Sequence, residues 1–240
     1  MSVKNNRALF AGNVGGGPRS ADVFLTGASG YLGRHLGPEL IRRGYHVHAL
    51  VRGLSAHRLD ARCRVVVGDP LDSDTFAGAI PAGATVVHLV GVARPTPAKA
   101  AEFRSVDLQS TGEVLEAALT ARASHFVYVS VAQPSPVMRE YVQARQDAEH
   151  MIRASGLPAT FLRPWYVLGP GRRWPLMLIP LYRILELIPR TRESARRLGF
   201  VGIGQMTEAI ASAVDNPPAG VRIIEVPEIR ALGKRPPHSS

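Results

Sequence analysis

The stretch that decides the fold is Val23-Phe24-Leu25-Thr26-Gly27-Ala28-Ser29-Gly30-Tyr31-Leu32-Gly33. Its first four residues are a short apolar run, typical of a buried strand, and a helical pattern over 31–43 begins inside the spacing Gly-x-x-Gly-x-x-Gly. The first glycine would permit a tight turn, the second the approach of a pyrophosphate, and the third close packing of the helix. The helix amino terminus would present free N–H groups to phosphates. This context predicts a dinucleotide phosphate site, with a purely structural turn as the alternative.

Short apolar runs alternate with helical patterns along the chain. The runs are rich in Val, Ile and Leu and do not alternate with polar residues, which is typical of strands buried on both faces. They predict strands over 22–26, 46–51, 64–67, 85–90, 125–130, 159–163 and 222–226. Helices are predicted over 31–43, 99–121, 136–155 and 205–215, the third of them started by Ser135 and Pro136. The alternation predicts an α/β fold with a Rossmann-type, doubly wound parallel sheet.

Length and composition predict one domain with loose ends. The 240 residues are 45% hydrophobic, which suits a single globular domain of ordinary size. Residues 1–20 contain three consecutive glycines and no periodicity, so they are predicted to form a flexible arm. Residues 21–230 are predicted to form the domain, and residues 231–240 a flexible tail.

The formal net charge of +10 comes mostly from arginines spread along the chain. A diffuse positive field favours anionic ligands such as nucleotides, nucleic acids or acidic membrane surfaces. The sequence contains none of the motifs of nucleic-acid-binding modules, so specific nucleic-acid binding is not expected.

The number of cysteines indicates the cellular compartment in which the protein is expected. Cys63 is the only cysteine, so no disulfide can form within the chain, and a reducing, cytoplasmic location is expected. The first twenty residues also lack the apolar core of a secretory signal. With no partner thiol or nearby histidine, Cys63 itself is expected to be a small, partly buried side chain.

The choice of dinucleotide depends on the end of the second strand, where the ribose is read about 20 residues after the turn. An NAD-selective site places a carboxylate there, but this strand ends at Arg52 and the next acid is Asp60. A guanidinium offers charge and forked donors to a 2′-phosphate, and Arg34 could add a second cation. NADP(H) is therefore predicted, with NAD(H) as the other candidate and a solvated arginine as the structural alternative.

Four segments share the pattern of one family: Thr26–Gly33, Gly68-Asp69-Pro70-Leu71-Asp72, Arg163-Pro164-Trp165-Tyr166-Val167-Leu168-Gly169-Pro170-Gly171, and Gly202–Ile210. Together they resemble the short-chain dehydrogenase/reductase superfamily, in its extended or atypical branch, whose members include epimerase-like proteins and relatives of a complex I accessory subunit. The resemblance covers about residues 22–228. The first and third segments are the more specific, and the other two support them.

The resemblance implies which residues bind the cofactor, most of them at the carboxyl ends of strands. Within the turn they are Gly27, Ser29, Gly30, Tyr31, Leu32, Gly33 and Arg34. Elsewhere they are Arg52, Asp69, Pro70, Leu71, Val90, Gly91, Val92, Ser130, Arg145 and Pro164. In this assignment Asp69 meets the adenine, while Ser130 and Pro164 lie at the nicotinamide.

The resemblance also implies a catalytic set of Ser, Tyr and Lys, the last two spaced Tyr-x-x-x-Lys on one helical face. This chain has Ser130 at a strand end and Tyr141-Val142-Gln143-Ala144-Arg145, so the lysine is an arginine. Tyr141 would transfer the proton, Ser130 would orient the carbonyl and Arg145 would hold the ribose. An arginine can stabilise a tyrosinate but cannot practically relay a proton. The alternative is a partly exposed tyrosine beside a solvated arginine.

Residues 174–188 are the most apolar stretch, with Leu181, Ile184, Leu185 and Ile188 on one helical face. The stretch is too short, and too interrupted by proline and charge, to span a bilayer. The resemblance places it in a substrate-side portion around 165–200. An apolar substrate, a hydrophobic protein partner or a membrane surface would each explain it, as would ordinary core packing.

Four other polar residues are expected to have structural roles. His88, in the fourth strand, is expected to be a satisfied core residue, because no metal partner has suitable spacing. Asp147, Glu149 and His150 are expected to lie on a solvated helix face. No metal site is predicted.

Two functions follow from these observations. The first is an NADP(H)-dependent oxidoreductase acting on a small or apolar carbonyl or alcohol, which the serine and tyrosine favour. The second is a non-catalytic NADP(H)-binding sensor or assembly subunit, which the arginine in place of lysine and the apolar stretch favour.

Overall fold

A computed structural model of the chain describes residues 21–92, 99–133, 138–170 and 199–233. Seven strands form one parallel sheet in the order β3-β2-β1-β4-β5-β6-β9. They are β1 (Asp22–Thr26), β2 (His46–Val51), β3 (Arg64–Val67), β4 (Thr85–His88), β5 (His125–Val129), β6 (Ala159–Arg163) and β9 (Val221–Glu225). The predicted Rossmann-type, doubly wound sheet is confirmed.

The helices that connect these strands are α1 (Gly33–Arg42), α2 (Ala100–Glu102), α3 (Gln109–Thr120), α4 (Arg139–Ala154), α5 (Ile203–Asp215) and α6 (Val226–Leu232). A π-helical segment, Phe103–Leu108, joins α2 to α3. Such wide turns occur mostly as single interruptions of α-helices, frequently at functional sites.

Helices cover both faces of the sheet, because the strands carry apolar residues on both faces. On one face, Leu36 and Leu40 of α1 and Met206 and Ile210 of α5 form a core with the strands. On the other face, side chains of α3 and α4 do the same, including Val114, Leu115 and Ile152. The five central strands therefore bury residues on both sides, which explains their apolar runs, whereas the edge strands β3 and β9 expose several of their apolar side chains.

The structure adds elements that the sequence patterns did not predict. Strands β7 (Tyr166–Leu168) and β8 (Phe200–Gly202) pair in a separate parallel ribbon. A run of three residues is too short to show a periodicity, and the two strands are far apart in the chain. Helix α6 was also missed, and it extends to Leu232, inside the segment predicted as a tail.

Some element ends differ from the prediction. Strand β4 ends at His88 and strand β5 at Val129, short of the predicted ends at 90 and 130. The residues that follow each strand leave the sheet and line the candidate site. The arm 1–20, the helix start at Ser135 and Pro136, and the apolar stretch 174–188 lie outside the described residues.

The strand order creates a crevice between β1 and β4. The chain leaves β1 for β2 on one side, and β4 pairs with β1 on the other. In open α/β sheets ligands bind at such a switch point, outside the carboxyl ends of the strands. Among the described residues, no helix combines the length and the hydrophobicity needed to cross a bilayer.

Candidate active site

The glycine-rich turn lies at the carboxyl end of β1, above this crevice. Gly27 has φ of +67°, a conformation that side-chain-bearing residues rarely adopt. A Cβ there would also lie 2.9 Å from the carbonyl carbon of Leu89, after β4. The N–H of Gly30 donates to the carbonyl oxygen of Gly27 at 2.9 Å and closes the turn. The turn thus leaves backbone in the crevice where side chains would otherwise lie.

Gly33 begins α1 directly against this turn. A Cβ at Gly33 would overlap the carbonyl oxygen of Gly27 and lie 2.6 Å from the Cα of Ala28. Only a glycine lets the helix amino terminus come this close to the strand, as the spacing predicted. The free N–H groups of the helix therefore face the crevice end of the sheet.

Two cations flank the turn. Arg34 lies in the first turn of α1, and Arg52 directly follows β2. Both are exposed, and neither forms an ion pair with any other described residue. Both therefore remain available to an anionic group at the carboxyl edge of the sheet.

The loop after β3 is held in shape by its own side chains. The Asp69 carboxylate accepts the N–H of Leu71 at 3.0 Å, and the Asp69 N–H donates to the Thr75 hydroxyl at 2.9 Å. Asp69, Pro70 and Leu71 are all partly exposed. Hydrogen bonds within the loop thus hold it in a defined shape.

Asp107 of the π-helical segment holds the loop after β4, residues 90–92. The N–H of Val92 donates to one carboxylate oxygen of Asp107 at 3.0 Å. A Cβ at Gly91 would overlap the Nη2 of Arg145 and lie 3.0 Å from Asp107 Oδ1. The predicted cofactor loop therefore rests directly on a carboxylate and a guanidinium.

Arg145 is buried, with 6% of its surface exposed, so the expected alternative of a solvated arginine is wrong. Its Nη2 lies 2.5 Å from Asp107 Oδ1, and its Nη1 donates to the Tyr128 hydroxyl at 3.1 Å and to the Val129 carbonyl at 3.0 Å. Burial alone would lower the pKa of Arg145, but Tyr128, Tyr141 and Asp107 raise it above its usual value. The guanidinium is thus a permanent, internally paired cation.

Tyr141 lies over this cation on the same face of α4, as the spacing of four predicted. Its ring centroid is 5.3 Å from Arg145 Cζ and 5.1 Å from the centroid of the Phe103 ring. Tyr141 is partly exposed, whereas Phe103 is buried. The ring is therefore fixed on one side and accessible on another.

Ser130 directly follows β5 and is 3% exposed. Its hydroxyl makes no hydrogen bond with any other described residue, and the same holds for the buried Nε of Arg145. Buried polar groups are rarely left without partners. Two such groups beside the cofactor loop fit a site that is completed by a ligand.

Pro164 follows β6 and is buried; its carbonyl accepts the N–H of Ala132 at 3.0 Å. The segment after it turns back to the phosphate turn. A Cβ at Gly169 would overlap the Tyr31 hydroxyl and lie 2.9 Å from Ile203 Cγ2. The segment after β6 therefore meets the glycine-rich turn.

Glu149 does not lie on a solvated face, and the prediction for it is wrong. It is buried, and both of its oxygens bind Arg163, Oε1 to Nε at 2.9 Å and Oε2 to Nη2 at 2.5 Å. Gln133 donates to the same carboxylate at 3.0 Å. This pair connects α4 to β6, because Glu149 lies on α4 and Arg163 is the last residue of β6.

His88 and Cys63 lie in the interior, as expected. His88 Nδ1 pairs with the Thr26 hydroxyl at 2.9 Å, and burial, with Arg145 nearby, lowers the pKa of His88 to about 3. Cys63 is buried, which raises the pKa of its thiol. Neither side chain therefore supplies a charged or reactive group to the site at neutral pH.

The functional residue that sequence reasoning missed is Asp107. A signal was present, because Phe103, Asp107, Ser110 and Val114 fall on one face of the predicted helix over 99–121. A carboxylate on an apolar helix face requires a buried partner. The partner could not be identified without knowing that this face packs on α4.

A surface depression of about 560 Å³ lies at the opposite, amino-terminal end of the sheet. Asp22, His46, His48 and Arg64 are among its lining residues, and all lie at or near strand starts. The depression is therefore separate from the candidate active site.

Comparison with known families agrees with this geometry. A family model described as NAD(P)H-binding matches residues 27–172, from the first glycine to just beyond the Gly-Pro-Gly segment. The match covers more than half of the chain. The protein therefore belongs to this NAD(P)H-binding family, and the resemblance to extended short-chain dehydrogenases/reductases is confirmed.

Several curated relatives carry reductase names. The chain is similar to a ceramide reductase of Caulobacter vibrioides (27% identical; 88% of this chain and 66% of the relative). It is also similar to a 3-diazoavenalumate denitrifying reductase of a Streptomyces species (28%; 82% and 73%). A third relative is a 4-hydroxy-2-methyl-3-oxo-4-farnesyl-3,4-dihydroquinoline-1-oxide ketoreductase of Stigmatella aurantiaca (33%; 58% and 42%). The chain thus spans only part of each relative.

Solved structures share the fold. The enzyme WbmH of Bordetella bronchiseptica, in complex with NAD+, superposes with a TM-score of 0.63 at 21% identity, over 84% of this chain and 75% of that one. At this identity the likeness shows the fold alone. The fold and the family match together define an NAD(P)-binding protein, and several of its curated relatives are named reductases.

Proposed function

We propose that the protein is an NADP(H)-dependent oxidoreductase that interconverts a carbonyl and an alcohol on a small or apolar substrate. The observation that carries the proposal is the position of Tyr141 over the buried Arg145 cation, beside the cofactor loop. Gly33 has no room for a Cβ, so α1 begins close enough to the turn for a dinucleotide phosphate to reach its N–H groups. The buried Ser130 hydroxyl has no hydrogen-bond partner among the described residues, which supports a reactive end of the dinucleotide near β5.

The dinucleotide supplies a hydride when it is bound. The chain's own residues supply the rest: the turn and α1 bind the pyrophosphate, and Ser130 donates to the substrate carbonyl and orients it. Tyr141 donates its hydroxyl proton to the carbonyl oxygen as the alcohol forms. The Arg145 charge stabilises the phenolate until solvent reprotonates it. One carbonyl, one hydride and one proton thus give one alcohol.

The preference for NADP(H) is supported by Arg34 and Arg52. Both are exposed and unpaired among the described residues, and no carboxylate follows β2 where an NAD-selective site would have one. A 2′-phosphate would satisfy both cations. NAD(H) remains the competing cofactor.

The apolar nature of the substrate is supported by two relatives, whose names specify a ceramide and a farnesylated quinoline. The hydrophobic stretch 174–188 follows the Gly-Pro-Gly segment on the substrate side. The same stretch could instead receive a hydrophobic protein partner or a membrane surface. We propose a cytoplasmic location on the basis of the single, buried thiol.

The reaction is tested by following NADPH oxidation at 340 nm with the purified protein. The panel contains long-chain 3-keto lipids, prenylated quinones, aliphatic ketones and short polar ketones as controls. We expect turnover with at least one apolar ketone and a reduced product by mass spectrometry. Tight NADPH binding without turnover of any panel member would favour the alternative, a non-catalytic sensor or assembly subunit. The arginine in place of the lysine supports that alternative.

The cofactor preference is tested by paired fluorescence titrations with NADPH and NADH on the wild type and on Arg52→Asp. We expect the wild type to bind NADPH at least about tenfold more tightly, because one charge-assisted contact contributes roughly 1.5–3 kcal/mol. Arg52→Asp should reverse the order, because a carboxylate repels the 2′-phosphate and accepts from a 2′-hydroxyl. Arg58→Asp is the matched control, because Arg58 is the last residue of the short helical segment Gly53–Arg58 that begins directly after Arg52. Equal affinities in the wild type would refute the preference.

A further inference from the structure

Resting on the proposed function, we propose that Asp107 is a positioning residue: its carboxylate holds both the cofactor loop 90–92 and the Arg145 guanidinium under Tyr141. In this chain an arginine takes the place of the family's lysine. The arginine can serve there only because a buried carboxylate pairs with it. Asp107 and Arg145 are therefore one functional unit.

Asp107 and Arg145 are two charged side chains buried together. Asp107 is fully buried and Arg145 is 6% exposed, and their nearest atoms are 2.5 Å apart. A buried guanidinium without a counter-charge would be severely destabilising. Among the described residues, Asp107 is the carboxylate that contacts Arg145. Asp107 thus supplies the counter-charge that the buried cation needs.

Asp107 also bridges helix α4 and the cofactor loop. One of its oxygens faces Arg145 on α4, and the other accepts the N–H of Val92. Gly91 lies so close to the guanidinium that any side chain would overlap it. A shift of Asp107 must therefore move the loop that lines the cofactor and the cation beneath it together.

The π-helical segment and α4 contact each other in a matching register. Phe103 and Asp107 are four residues apart in the π-helical segment, and Tyr141 and Arg145 are four residues apart on α4. Phe103 contacts Tyr141, and Asp107 contacts Arg145. The π-helical segment therefore supplies both the carboxylate that pairs with Arg145 and the ring that packs against Tyr141.

The hydrogen bonds of Arg145 show what the pairing does to its chemistry. Nη1 is bound to the Tyr128 hydroxyl and the Val129 carbonyl, and Nη2 faces Asp107, while the buried Nε has no partner among the described residues. The guanidinium is thus held by the protein at its outer nitrogens.

The test compares Asp107→Asn with Glu149→Gln. Both variants neutralise a buried carboxylate paired with an arginine, but Glu149 pairs with Arg163 and does not contact the cofactor loop. Asparagine can still accept the Val92 N–H, so Asp107→Asn removes chiefly the charge. We expect both variants to lose about 10 °C in Tm. Only Asp107→Asn should also weaken NADPH binding about tenfold and lower kcat about 100-fold.

The outcomes separate the two proposals. If the wild type neither binds NADPH nor turns over any ketone, the proposed function is wrong. If the wild type is active and a folded Asp107→Asn keeps its NADPH Kd and kcat, the positioning role is wrong. Equal losses of affinity and kcat in Glu149→Gln would reduce Asp107 to a structural residue.

A double variant covers the case in which Asp107→Asn does not fold. Asp107→Asn with Arg145→Gln leaves no unpaired charge, so we expect it to recover most of the lost Tm. We expect kcat to stay low, because no cation remains beside Tyr141. A double variant with the NADPH Kd and kcat of the wild type would overturn the proposal.

Discussion

Gly33→Ala is expected to abolish measurable NADPH binding and to destabilise the folded protein by about 3 kcal/mol or more. The added methyl would overlap the Gly27 carbonyl oxygen and lie 2.5 Å from that of Ala28. Both neighbours are backbone atoms of the phosphate turn, so neither can rotate away as a side chain would. The start of α1 must move off the turn, and the N–H groups that would bind the pyrophosphate move with it.

Urea unfolding and NADPH fluorescence titration measure the two effects. Gly112→Ala is the matched control, because its Cβ would lie 3.6 Å from Met151 Sδ, an ordinary contact, within helix α3. It should stabilise the protein by up to about 1 kcal/mol through helix propensity. A Gly33→Ala protein with wild-type stability and affinity would show that the helix does not need this close approach.

Tyr141→Phe is expected to lower kcat about 1,000-fold while leaving the NADPH Kd and the stability nearly unchanged. The variant keeps the ring between Phe103 and Arg145 and removes only the hydroxyl that would donate the proton. The loss should therefore fall on turnover and not on binding. The measurement is steady-state NADPH oxidation with the best ketone of the panel.

Tyr45→Phe is the control for that substitution. Tyr45 lies just before β2, at the opposite end of the sheet, and its hydroxyl donates to Asp215 at 2.8 Å. Its removal should leave kcat within about twofold of the wild type, because Tyr45 is remote from the site. Unchanged turnover in Tyr141→Phe would remove Tyr141 from the mechanism, and Ser130 would then be the next proton donor to test.

The features that could be predicted from the sequence are those with a short-range physical cause. Gly27 has a positive φ and Gly33 a contact that excludes a side chain, and both requirements appear in the sequence as glycines at fixed spacing. The apolar strands were predictable because a strand buried on both faces needs apolar residues throughout. Arg52 was placed after β2 by counting from the turn, and it does follow that strand.

The errors concern residues whose environment depends on distant segments. Glu149 was expected on a solvated face, and a solvated arginine was the alternative to the predicted site role of Arg145, because a charged position on a helix is most simply interpreted as exposed. Both are buried, because Asp107 and Arg163 reach them from other elements. Strands β7 and β8 were missed for the same reason, since each is defined by its pairing with the other.

The sequence by itself determined the family of this protein, its phosphate-binding turn and the order of strand and helix. Local backbone geometry and apolar periodicity depend on residues close together in the chain, so their requirements are visible in it. Only the tertiary structure decided that Arg145 is a buried cation paired with Asp107 beneath the cofactor loop. The free energy of a buried charge depends on the partner that packing brings to it, and these two residues are 38 positions apart.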